Sequence, residues 1–210
     1  MTDPAGDAGR IAWARRLQSL AQTGLHYSQD PYDRQRYEQI RQIAAEMLAG
    51  PAGMTPEQMD AVLAREIGPG TPKIVVRGTA FRDDRILLVR ESLDGKWAPP
   101  GGWADVNERP SQAVAREFRE ETGYEVEPLR LTYLHDHETR GCVHLPFHVY
   151  TAFFLCRIVG GEPKTSLETT EIAFFAEDDL PPLSASRVTA AEIAKAFAAC
   201  REPDAPALFD

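Results

Sequence analysis

The sequence predicts an α/β (α+β) protein: a mixed β-sheet sandwiched between helices, preceded by a small N-terminal helical domain. Three observations carry this. Apolar residues recur at helical spacing through residues 10–67. After residue 72 the pattern becomes β-branched and alternating, and the run Gly68-Pro69-Gly70 marks the change. Strand-like segments then alternate with two helical ones, the pattern of a sheet covered on both faces. A chain of 210 residues can hold one good-sized core and a small accessory unit. The boundary is placed so that residues 1–68 form the helical extension and residues 69–210 the larger domain.

The elements follow in order. Ile11, Ala14, Leu17, Leu20 and Ala21 give the apolar face of a first helix, with Gly24 as its stop. Asp30 before Pro31 reads as the N-cap and first-turn proline of a second helix. Its face is Tyr37, Ile40, Ala44, Met47 and Leu48, and Gly50-Pro51 ends it. Thr55, Pro56 and Gln58 open a short third helix with a capping box, and Met59, Val62 and Leu63 are its apolar positions. Three short helices bury little alone, so their faces must dock on the rest of the chain or on a second copy. A packing role and a dimerisation and substrate-walling role both fit. Strands are expected at 73–82, 85–90, 125–137, 147–159 and 171–176, with Asp83-Asp84 as a turn and Gly160-Gly161 as a terminator. Helices are expected at 110–122 and 186–201, the latter carrying Val188, Ile193, Ala194 and Phe197.

Composition narrows the function. Hydrophobic residues make up 43% and charged residues 26%, ordinary for a soluble globular protein. The formal net charge is −9, which disfavours nucleic acid and anionic membranes as partners. An acidic protein can still take a polyanionic substrate if metal ions stand between the charges. No stretch approaches the apolar length of a membrane span, and the first ten residues hold no apolar signal core. Cys142, Cys156 and Cys200 are widely spaced with no CxxC pair, as expected of reduced thiols in a cytoplasmic protein.

The chemistry lies in GGWADVNERPSQAVAREFREETGYEV, which begins at Gly101. Glu117, Glu120 and Glu121 stand at i, i+3 and i+4 of one helix, so their carboxylates project from one face. Such a trio repels itself, and taken alone it is better read as a solvated acidic stripe. Its surroundings reverse that reading. Arg116 directly precedes the trio and can pair with Glu108, anchoring the loop to the helix. Gly101 and Gly102 permit a tight loop whose carbonyl can approach a metal, and Gly123 supplies a left-handed helix stop. Hard divalent cations prefer such oxygen ligands, and a diphosphate would complete their shell.

Gly102, Glu108, Arg116, Glu117, Glu120, Glu121 and Gly123, with apolar Phe118 and Tyr124, occupy every position of a known spacing, and the segment resembles the Nudix box. A chance match to its fixed residues is on the order of one in a million for a chain this long. The preceding KWAPPGGW and the later EIAFFAEDDLPPLS also resemble that family. The N-terminal helices resemble the extension of the Nudix subgroup acting on X-linked nucleoside diphosphates, which includes CDP-choline pyrophosphatase. The resemblance implies a metal-dependent pyrophosphohydrolase that splits a nucleoside diphosphate linked to X into a nucleoside monophosphate and X-phosphate. It also implies Mg²⁺, or Mn²⁺, held by Glu117, Glu120 and Glu121 with a carbonyl from Gly101 or Gly102. Glu108 and Arg116 would keep the site in shape. The general base is a box glutamate such as Glu120 or a later carboxylate, Glu168 or Glu171. Alternatives are an ADP-ribose pyrophosphatase, a house-cleaning nucleoside-triphosphate hydrolase, an RNA-processing enzyme and a non-catalytic nucleotide sensor.

Further candidates are assigned by residue type. Arg77, Arg82, Arg90 and Arg140 can grip phosphate, although each is more often a surface or ion-pair arginine. Trp103 can stack on a base, and Trp97 belongs to the core. Tyr27 and Tyr32 are assigned to core or interface packing rather than to a nucleoside pocket. His135, His137, His144 and His148 fit no common zinc spacing. Substrate choice is expected in the helical extension and in loops 136–146 and 163–171. A homodimer through the N-terminal helices is expected.

Overall fold

Why the chain changes from helices to a sheet is visible in where its apolar residues go. The computed structural model describes residues 6–137, 146–202 and 204–210. Arg140, Cys142 and His144 lie outside the described residues. Two compact units emerge, one running to Pro72 and taking in residues 146–148, the other formed by the rest of the chain.

The first unit holds α1 (Gly6–Tyr27), α2 (Pro31–Ala49) and α3 (Pro56–Leu63). Asp30 caps α2 by accepting the N–H groups of Tyr32 and Asp33. Thr55 and Gln58 close a capping box on α3. Ile11, Ala14, Ala45, Leu48, Ala49, Met59 and Leu63 form a buried core. Arg41 joins Asp60 at 2.8 Å, tying α2 to α3. Gly24 is not a stop, because α1 continues to Tyr27. A Cβ at Gly24 would lie 2.4 Å from the Tyr37 ring, so glycine there allows close approach of α2. Leu20 is exposed, contrary to its assignment to the inner face. It lies about 200° around the helix from buried Gln18. Tyr27 and Tyr32 are also exposed, so neither is core within one chain.

The second unit is a mixed sheet with one helix on each face. Its strands are β1 (Lys73–Arg82), β2 (Arg85–Glu91), β3 (Trp97–Ala98), β4 (Tyr124–Asp136), β5 (Val149–Gly161), β6 (Thr169–Phe175) and β7 (Leu208–Phe209). Among the described residues the order is β3-β2-β1-β5-β4-β7, with β6 also on β2. β1 and β5 run parallel, whereas β4–β5, β1–β2 and β2–β6 are antiparallel. Asp83 and Asp84 both have positive φ, as a tight two-residue hairpin turn requires. α4 (Pro110–Thr122) covers one face and α5 (Ala190–Arg201) the other. Strand β2 shows why both faces need cover. Leu87 and Val89 pack with Val114 and Phe118 of α4, while Ile86 and Leu88 pack with Ile193 and Phe197 of α5. Trp97 is core, as expected. α5 begins at Ala190 rather than residue 186, because Thr189 and Glu192 form a capping box there.

Gly78 of β1 lies directly under α4. An added Cβ would stand 2.7 Å from Phe118 and 3.0 Å from Val114. Gly78→Ala should therefore destabilise the protein by roughly 1–3 kcal/mol, the usual range for overpacking. Denaturant unfolding measures this, and an unchanged midpoint would refute the contact.

Candidate functional site

The site starts where the backbone comes closest to β1. After β3 the segment Pro99–Gly102 runs alongside β1, with Gly78 N–H donating to Pro100 and Val76 N–H donating to Gly102, at 2.8 and 2.9 Å. Gly101 has φ 148°, and a Cβ there would meet the Val76 carbonyl oxygen at 2.1 Å. Only glycine fits. At Gly102 a Cβ would collide with the Glu117 carboxylate, its Oε1 only 2.7 Å away. The two glycines thus let the loop pass between β1 and the acidic face of α4.

Helix α4 is held by both sides. Phe118, Val114 and Ala113 sink into the core, and Gly123 ends the helix with φ 74°. This turns Glu117 and Glu121 toward the glycine loop, while Glu120 reaches Arg116. Arg116 organises the cluster. Its Nε and Nη2 donate to the two oxygens of Glu108 at 3.0 and 2.9 Å. Its Nη1 donates to Glu117 at 2.8 Å and to Glu120 at 3.3 Å, and Nη2 also reaches the Trp103 carbonyl at 3.3 Å. These bonds to Arg116 hold the Glu108 carboxyl below the usual range, and the same partners raise the arginine further.

Glu121 is only 3% exposed. Its Oε2 accepts the Gly101 N–H at 2.9 Å, and its backbone carbonyl accepts the Thr169 hydroxyl at 2.7 Å. Burial pushes its carboxyl up to about 7, against the pull of Arg77 and the Gly101 N–H. Burial also raises Glu117, opposed by Arg116.

The other candidates fall into place around this cluster. Glu171 faces Arg90 across β2–β6, and their side chains pair at 2.6 Å. The Glu168 carbonyl accepts the Ser92 N–H. Arg77 is buried, with Nη1 on the Pro99 carbonyl at 2.9 Å. Arg82 lies over the Tyr124 and Phe174 rings rather than at the glutamates. Trp103 is exposed beside the box loop. His135 is buried and paired with Glu192 at 2.8 Å. Among the described residues, no three His, Cys, Asp or Glu side chains are arranged to hold a metal ion. Glu117 and Glu120 converge on Arg116 instead, and Glu121 on Gly101. The donor chemistry nevertheless fits a hard divalent ion: clustered carboxylates from one helix, two already sharing a cationic partner, with Glu117 in contact with Gly102.

Two charged residues escaped the sequence reading. Glu91 is fully buried at the end of β2, and Arg187 pairs with it at 3.0 Å. The available signal was phase: Glu91 is two residues beyond Val89 and four beyond Leu87, on the α4 side of the strand.

A sheet between two helices, with an arginine-clamped glutamate helix against a double-glycine loop, defines a Nudix hydrolase domain. Residues 72–197 match the NUDIX domain model, and residues 10–63 match a model described as the UDP-X-like, N-terminal oligomerisation domain. The chain belongs to the Nudix family and is a pyrophosphohydrolase of that family. It is 40% identical over 197 residues to "Putative ADP-ribose pyrophosphatase YjhB" of Bacillus subtilis, covering 94% of this chain and 95% of that protein. A solved UDP-X diphosphatase superposes with a TM-score of 0.62 at 28% identity, covering 97% of this chain and 99% of the other. An ADP-ribose pyrophosphatase structure from Streptococcus suis gives 0.61 at 39% identity, covering 67% of this chain and all of that one.

The raised Glu121 carboxyl makes a pH prediction for protein kept in chelator. Between pH 4.5 and about 7 the folded state keeps a proton that the unfolded chain has lost, so stability falls as pH rises through that window. Glu117 and Glu91 act in the same direction. Glu121→Gln should make the fall shallower in urea titrations at a series of pH values. Identical slopes in parent and variant would contradict the assignment.

Proposed function

We propose that the protein hydrolyses a nucleoside diphosphate linked to a second moiety X, releasing a nucleoside monophosphate and X-phosphate. The observation that carries this is the Arg116 clamp, which gathers Glu108, Glu117 and Glu120 beside Gly102. ADP-ribose is one compound of this class, and the name of the Bacillus subtilis relative favours it. The name of the UDP-X diphosphatase neighbour favours a nucleotide sugar or another X.

In the proposed reaction, water attacks one phosphorus, its bond to the bridging oxygen breaks, and the other phosphate leaves. Glu117, Glu120, Glu121 and the Gly102 carbonyl would hold Mg²⁺ or Mn²⁺. That carbonyl has a second lone pair beyond the one accepting the Val76 N–H. Bound divalent ions would neutralise phosphate charge and make water more acidic. Glu108 and Arg116 keep the glutamates in register. Glu171 is assigned as the base outside the box, steadied by Arg90. A cytoplasmic location fits the free thiols Cys156 and Cys200.

The helical unit supports a homodimer. Trp13, Leu20 and Tyr27 are 58%, 57% and 67% exposed, and seven-residue spacing puts them on one side of α1. A second copy of this chain would cover that seam.

A panel of ADP-ribose, UDP-glucose, CDP-choline and nucleoside triphosphates in Mg²⁺ should yield monophosphate plus X-phosphate from at least one diphosphate-linked compound. Activity should vanish in EDTA and in Glu120→Gln; turnover surviving either would sink the ligand set. Glu171→Gln should lower kcat about 100-fold or more with little change in KM, and a parental kcat would pass the base to a box glutamate. For the dimer, Trp13→Glu with Leu20→Glu should give a monomer by light scattering, and an unchanged mass would refute the seam.

A further inference from the structure

Four arginines of the second unit are already engaged. Arg116 is taken by Glu108, Glu117, Glu120 and the Trp103 carbonyl. Arg90 bonds Glu171 and the Gly95 carbonyl. Arg82 is stacked on two rings, and Arg77 is buried against Pro99. Arg187 differs. Its Nε stands 3.0 Å from Glu91 Oε1, its side chain is 27% exposed, and no acceptor among the described residues takes its two Nη groups. One side of the guanidinium rests against Glu91 and the other is open.

The backbone that carries Arg187 is held by several bonds. Segment 182–188 is clasped to the β2–β3 turn. Trp97 N–H donates to Pro182, Ser184 N–H donates to Trp97, and the Ser184 hydroxyl donates to Asp94 at 2.8 Å. Glu91 stands opposite Thr169 in the β2–β6 ladder, and the Thr169 hydroxyl holds the Glu121 carbonyl. Ser92 N–H donates to the Glu168 carbonyl, closing the same wall. Glu91, the partner of Arg187, therefore sits one strand pairing away from Glu121.

Glu91 itself calls for a reason. It is 1% exposed, and its Oε1 lacks a well-aligned hydrogen bond even with Arg187 in contact. A carboxylate in phase with Leu87 and Val89 is costly to bury, and an apolar residue would avoid that cost. What the charge achieves here is to fix the direction of Arg187.

We propose that Arg187 binds a phosphate of the substrate through its Nη edge, and that Glu91 is the positioning residue that aims it. The inference rests on the pyrophosphohydrolase reading above. A planar guanidinium places two parallel N–H groups on two phosphoryl oxygens, which suits either phosphate of a diphosphate. Bound divalent ions would serve one end of that polyanion. Arg187 offers an open guanidinium edge beside the buried Glu91.

Arg187→Lys tests this. One ammonium can stay with Glu91 or reach the phosphate, but cannot do both. A merely structural ion pair would be restored by lysine in every respect. The proposal expects a melting temperature near the parent's, a KM for the preferred diphosphate-linked substrate raised tenfold or more, and a smaller change in kcat. A parental KM in the folded lysine variant overturns it. Arg187→Gln, read by the same measurements, stands in if the lysine variant does not fold. Should the parent cleave no diphosphate-linked compound, the broader reading fails on its own. Calorimetric binding of inorganic pyrophosphate in Mg²⁺ then decides: about tenfold weaker affinity in the lysine variant supports Arg187, and equal affinity overturns it.

Discussion

Glu108, Glu117 and Glu120 meet at a single guanidinium, and the local structure depends on that meeting. Carboxylates this close repel one another, more strongly where water is partly excluded. Arg116 offsets this because its fork has two usable edges. The Nε–Nη2 edge grips Glu108 and the Nη1 corner takes Glu117 and Glu120. One side chain thereby joins the loop carrying Glu108 to the helix carrying the trio. A lysine has no second edge and could not do both.

The clamp works only because the backbone leaves room for it. α4 is drawn onto the sheet by Phe118 and Val114, close enough that Gly78 has no space for a side chain. The same approach brings the acidic face against Gly101 and Gly102. Gly101 then donates its N–H to Glu121, the most deeply buried of the trio. The apolar face of one short helix therefore determines the electrostatics of its polar face. Burial that would be unremarkable for a leucine here holds a carboxyl up to about 7.

Much of this was legible in the residues because it is local. The contact between Arg116 and Glu108 spans eight residues, Gly123 ends its own helix, and Asp83-Asp84 makes its own turn. The Nudix fold follows from the box and from the unbroken apolar run of β2. Features that depend on distant partners were not legible. Gly24 reads as a helix stop until Tyr37 is seen packed against it. Leu20 fits an inward spacing as well as an outward one. β3 and β7, two residues each, lack the length to show a period. Glu91 looks like the charged end of a strand, since its burial is made by Arg187, nearly a hundred residues later.

An acidic chain that acts on polyanions has to separate two tasks. In the proposed reaction the box gathers negative charge so that divalent cations would be held, and those same carboxylates would repel a phosphate arriving without them. Cations of the chain itself are needed where substrate oxygens extend beyond the ions. Arg116, Arg90 and Arg82 cannot serve, because each already neutralises or stacks on its own neighbours. An arginine tied at one edge to a buried carboxylate resolves the conflict. The buried partner fixes its direction, loses little to solvent screening, and leaves the far edge for a ligand. That division explains how a chain with a net charge of −9 could recognise a diphosphate without a basic surface.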